Sequence, residues 1–90
     1  MKVLKLCDFR MASELSNIRN CVNNIVNFIF DCHGHLKEDV IFELKVVLNE
    51  LLQNAIRHGN KEVIEKQVKI RVGVNDNDVY FIIEDEGEGF

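Results

Sequence analysis

A two-layer α/β sandwich, in the order strand, helix, helix, strand, strand, is the fold this sequence predicts, and three observations carry it. Two stretches in the first two thirds repeat apolar residues at three- and four-residue steps, the period of a helix that buries one face. Val68, Ile70, Val72 and Val74 instead alternate with Gln67, Lys69, Arg71 and Gly73, the period of a strand with one wet face. Val79 to Ile83 (VYFII) follows across an Asn/Asp turn, so the pair reads as an antiparallel hairpin whose apolar face the helices must cover.

Composition narrows the class. Ninety residues, 47% hydrophobic and without Pro, suit a single globular unit spanning residues 1–90. A net charge of -4 argues against a duplex DNA footprint and leaves room for a basic partner surface. No segment is long enough to span a membrane, and the Met-Lys-Val-Leu-Lys start lacks the apolar run and cleavage site of a signal peptide, so the cytoplasm is the expected compartment. Cys7, Cys21 and Cys32 are odd in number and form no CxxC, which favours free thiols over a disulfide framework.

Taken in order, Val3 to Phe9 (VLKLCDF) is β-prone and gives the first strand. Ser13 suits a helix N-cap with Glu14 in the first turn, and Leu15, Ile18, Val22, Ile25 and Ile29 form the buried stripe of a helix ending near Asp31. Its far side mixes Asn17, Asn20, Asn23, Asn24 and Asn27 with Phe28 and Phe30, aromatics available to a partner. Gly34 suits a left-handed helix end, and Cys32, His33 and His35 around it read as an interhelical loop rather than a metal site, since no second ligand cluster accompanies them. The second helix opens on Glu38 and Asp39, carries the stripe Val40, Ile41, Leu44, Val47, Leu48, Leu51, Leu52 and Ala55, and stops at Gly59, read as a C-terminal helix glycine. Lys61 to Lys66 is a charged connection to the hairpin, in which VYFII, apolar on both faces, is expected to be the more central strand.

Two stretches carry chemistry. On the rim of the second helix, Glu50, Asn54 and His58 lie four residues apart, which stacks a carboxylate, an amide oxygen and an imidazole on successive turns beside one pocket. The last strand runs into Glu84-Asp85-Glu86-Gly87-Glu88-Gly89-Phe90, an acidic loop whose glycines let backbone approach a ligand closely.

Together, ELLQNA at Glu50 to Ala55, the following His58-Gly59-Asn60, and Asp85-Glu86-Gly87-Glu88-Gly89 resemble the ATP-binding domain shared by gyrase, Hsp90, sensor histidine kinases and mismatch repair ATPases. Within that histidine kinase-like superfamily the likeness is closest to the anti-sigma factor serine kinases, because one strand and one helix precede the Asn-bearing helix and no phosphoacceptor hairpin does. The resemblance implies ATP and Mg²⁺, with Asn54 as the Mg²⁺ ligand, Glu50 as the general base toward a serine hydroxyl, Asp85 reading adenine, and His58, Gly87 and Gly89 lining the nucleotide. It leaves Asn60 without an assigned role. It also implies a sigma factor and an anti-sigma antagonist as partners, and a homodimer. Family members continue past this point with a lid, a second glycine-rich box and further strands, so the resemblance makes this chain a C-terminally incomplete domain. The alternatives are a non-catalytic binding module of the same fold, or a catalytic-domain fragment of a sensor histidine kinase.

Overall fold

The computed structural model describes residues 4–87. Strand β1 (Lys5–Ala12) leads through a short 3-10 turn (Leu15–Asn17) into α1 (Ile18–His33), then α2 (Glu38–Asn54), which widens into a π turn (Ala55–Gly59) before the hairpin β2 (Gln67–Val74) and β3 (Val79–Glu84). The strands form one antiparallel sheet in the order β1-β2-β3, with both helices on one face. The two-layer sandwich and its element order are therefore as expected.

Register explains the core. On the inner face Cys7, Val72 and Phe81 lie side by side across the three strands, as do Phe9, Ile70 and Ile83. The alternating side chains Val68, Ile70 and Val72 of β2 are sealed from solvent against Ile25 and Ile29 of α1 and Leu48, Leu52 and Ile56 of the second helix. Each such side chain contributes about 1.5–3 kcal/mol on burial. Gly34 takes the expected left-handed conformation (φ 81°) and its N–H closes α1 on the Phe30 carbonyl.

Five expectations are corrected. The first strand runs to Ala12 rather than Phe9, because pairing with β2 continues to the Ala12–Gln67 step; Val3 lies outside the described residues. Ser13 does not cap the first helix: its hydroxyl donates to the Lys66 carbonyl at 2.6 Å, and regular helix begins only at Ile18. The central strand is β2, not VYFII. The second apolar side of β3, Tyr80 and Ile82, instead faces outward, where Leu6, Gly73 and Tyr80 align across the sheet's uncovered face. On α2 the stripe is only partly buried, since Leu48, Leu52 and Ala55 enter the core while Val40, Val47 and Leu51 stay exposed. Phe28 is not free for a partner either: it is half-buried and packs edge-on against Phe9 at 6.3 Å, leaving Phe30 as the exposed aromatic of that pair.

Candidate functional site

The end of the second helix sets the geometry. Instead of closing on the carbonyl four residues back, the Asn60 N–H bonds the Ala55 carbonyl at 2.8 Å, and the Glu62 N–H reaches Ile56. Such widened turns are rare and frequently occur at functional sites. Lys61 and Glu62 then both adopt left-handed backbone (φ 56° and 58°), a conformation costing roughly 1–2 kcal/mol for each residue with a Cβ. The chain reverses there, and Asn60 is carried beneath the fold.

Asn60 is fully buried and fully bonded. Its Nδ2 donates to Ser13 Oγ (2.8 Å) and to the Gln67 carbonyl (3.1 Å), while its Oδ1 accepts from the Glu86 N–H (2.7 Å) and the Gly87 N–H (3.0 Å). The orientation of the amide is fixed by these partners, since exchanging O and N would set two donors against Nδ2 and leave the Gln67 carbonyl facing oxygen. One side chain thus joins the end of β1, the start of β2 and the acidic loop after β3. Lys66 Nζ donates to the Gly87 carbonyl and the Gln67 N–H to a Glu86 carboxylate oxygen, so the loop is tied to β2 as well. Gly87 has φ 56°, where a side chain would be strained.

Asp85 lies directly over Gly59. A Cβ on Gly59 would overlap the Asp85 carboxyl group and stand 2.9 Å from its Cβ. The helical segment ends at Gly59 as expected, but with φ not positive, since the left-handed residues are Lys61 and Glu62; what the position requires is the absence of a side chain. Through this contact the acidic loop meets the helix that displays Glu50 and Asn54.

Glu50, Asn54, His58 and Asp85 are all exposed, and among the described residues none of their side chains is engaged in a hydrogen bond or ion pair. Glu50 and Asn54 hold adjacent turns of α2, as their spacing requires. His58 belongs to the π turn rather than to α2 itself. Asp85 borders a shallow cavity with Gln67, Lys69, Glu84 and Glu86. Gly89 lies outside the described residues. Among the described residues no group of His, Cys, Asp and Glu clusters to hold a metal, so Cys32, His33 and His35 form none. Sequence reasoning missed Ser13, Lys66 and Gln67 as parts of this network and left Asn60 undecided. The available signal was an Asn immediately after a helix-ending glycine and one loop away from a strand, which is too short a pattern to reveal partners 47 and 26 residues distant.

A helix displaying Glu50 and Asn54 is thus joined at its end to an Asp-x-Gly loop at the tip of a strand, and the chain belongs to the histidine kinase-like ATPase domain family, whose pattern matches residues 11–90. Among curated proteins it is 45% identical over 51 residues to the anti-sigma F factor of Bacillus subtilis (strain 168), covering 57% of this chain and 35% of that protein. The anti-sigma F factor of Bacillus velezensis is 43% identical over 51 residues, covering 57% and 35%. The serine-protein kinase RsbW of Bacillus subtilis is 38% identical over 52 residues, 58% of this chain and 32% of the kinase. The chain thus matches about a third of the length of these relatives.

Proposed function

We propose that this chain carries the adenine- and metal-binding part of an ATP site, and that the protein is a cytoplasmic, dimeric anti-sigma factor that phosphorylates a serine of its antagonist. The observation that supports this most is Asp85 seated on Gly59, since it brings two motifs some thirty residues apart to one end of the same helix. Among the described residues no helix is long and apolar enough to cross a membrane. Two relatives bear the name anti-sigma F factor and a third that of a serine-protein kinase, which supports the choice of partners and of reaction.

The side chains suit these tasks. Mg²⁺ favours hard oxygen donors and keeps several waters, and the exposed Asn54 amide offers such an oxygen without adding charge. When bound, Mg-ATP supplies the electrophilic γ-phosphoryl group. Glu50, one turn back on the same helix, accepts the proton of an incoming serine hydroxyl in this reading. The Asp85 carboxylate accepts a hydrogen bond from the exocyclic amine that distinguishes adenine. Gly87, held with positive φ, and Gly89 keep the loop free of side-chain bulk toward the nucleotide, and His58 lies at the same helix end.

The test is phosphotransfer from ATP to a purified antagonist. Glu50→Ala is expected to lower the rate by about 10²–10⁴ with nucleotide binding nearly unchanged, whereas Asn54→Ala weakens Mg-nucleotide binding as well. Equal transfer by wild type and Glu50→Ala would remove the base role. Nucleotide binding by the wild type without any transfer would identify a non-catalytic module instead.

A further inference from the structure

We propose that Asn60 is the positioning residue of the base-reading loop, and that selection of adenine over guanine is set by Asn60 acting through Asp85. The proposal rests on the ATP reading above and deepens it. Among the described residues the Asp85 side chain has no hydrogen-bond partner to aim it, so beyond its van der Waals seat on Gly59 its direction comes from the chain on either side. On one side is Glu84, in register with Lys69 at the end of β3. On the other are the Glu86 and Gly87 N–H groups, both held by the single oxygen Oδ1 of Asn60. Asp85 is the one residue between these two fixed points.

The chemistry of selection makes that fixing matter. Adenine presents an amine donor where guanine presents a carbonyl oxygen, so a carboxylate accepts from the first and opposes the second. Discrimination of this kind depends on polar groups held close to productive geometry by the residues behind them. Asn suits the task because it must accept from two amides and donate to Ser13 Oγ and the Gln67 carbonyl at once. Aspartate retains the acceptor only, and alanine neither.

The experiment is NMR on the ¹⁵N-labelled chain, titrated with Mg-ATP and Mg-GTP into the millimolar range, for wild type, Asn60→Ala, Asn60→Asp and Ser13→Ala. Each variant is compared at a temperature where circular dichroism shows it folded. Wild type is expected to favour ATP by at least about tenfold, and Asn60→Ala to lose this preference to within about threefold. Asn60→Asp, which still accepts from both amides, keeps most of the preference, and Ser13→Ala, which removes the bonds of Ser13 Oγ to Asn60 Nδ2 and to the Lys66 carbonyl but leaves Oδ1 on both loop amides, keeps it as well. In the absence of nucleotide, exchange of the Glu86 and Gly87 amides relative to the Ile70 amide of β2 should rise at least about tenfold in Asn60→Ala, a ratio that a uniform loss of stability would not move. An unaltered ATP/GTP preference in Asn60→Ala, or an equal loss in Ser13→Ala, overturns the proposal. If neither nucleotide shifts the wild-type spectrum, the ATP reading fails and selectivity with it; faster loop exchange in Asn60→Ala then shows that the ligand was misassigned, while unchanged exchange shows that the positioning was wrong too.

Discussion

Replacing Gly59 by alanine separates the stability of this fold from the geometry of its site. Because Gly59 has no positive φ, alanine meets no backbone strain there, and in a helical turn it gains about 1 kcal/mol over glycine. Against this stands the overlap with Asp85. The two closest atoms belong to the end of an exposed side chain and can swing away, but the Asp85 Cβ at 2.9 Å obliges the loop itself to shift. Overpacking of this kind costs roughly 1–3 kcal/mol, so the net loss should be about 1 kcal/mol, or some 4–8 °C in melting temperature for a chain of this size. Adenine affinity should fall by at least about tenfold, since the only relief is to move the carboxylate. Urea denaturation of Gly59→Ala, Asp85→Ala and the double variant checks the cause: removing the carboxyl group should return much of the lost stability, giving a non-additive cycle. Additive effects, or a Gly59→Ala chain that binds ATP like the wild type, would refute the contact as a constraint on Asp85.

Two further outcomes are expected. On the outer face of the sheet the Arg71 guanidinium grips Asp8 through two hydrogen bonds, of 2.8 and 3.0 Å, and this hydrogen bonding is the main reason the Asp8 carboxyl sits below the usual carboxylate range. A lowered folded-state pKa means that the pair's stabilisation is present above the ordinary carboxylate range and is lost as pH falls through the lowered value. Arg71→Gln should bring the Asp8 carboxyl back toward its ordinary titration in ¹³C NMR; an unchanged titration would deny the pair its effect. Separately, β3 is an edge strand among the described residues, with Tyr80 and Ile82 about half exposed (52% and 54%), and we expect a dimer or higher species by light scattering. Ile82→Lys should dissociate it, a response confined to Phe30→Ser would place the contact on α1 instead, and a wild-type monomer at high micromolar concentration would count against both.

Legibility followed the range of the interactions. Period alone located both helices and the hairpin, because a buried face repeats within a few residues: Val68, Ile70, Val72 and Val74 alternate and are buried as the pattern requires. Which strand is central was misread, since two apolar faces on VYFII indicate burial on both sides only if something covers the second, and Tyr80 and Ile82 have no cover among the described residues. Glu50 and Asn54 stand out in the sequence as polar residues on an otherwise apolar helix, and Asp85 as part of an acidic, glycine-punctuated loop at a strand end. Ser13 was misassigned, and the glycine that ends the second helix was given the wrong cause, for a common reason. Each fits a local capping rule, yet each is engaged by a residue distant in the chain, Lys66 for the one and Asp85 for the other. A π turn has no comparable short signature, so the reach of Asn60 appears only in three dimensions.

The buried amide of Asn60 also bears on cooperativity. An Asn side chain removed from water is tolerated only when its donors and acceptor are matched, and an unmatched buried polar group costs about 1–3 kcal/mol. Its partners come from sequence positions 13, 67, 86 and 87, so no partly assembled chain can satisfy it. A state that buries Asn60 while lacking the end of β1 or the loop after β3 carries this penalty. Intermediates are thereby disfavoured, and the acidic loop orders together with the segments that enclose Asn60.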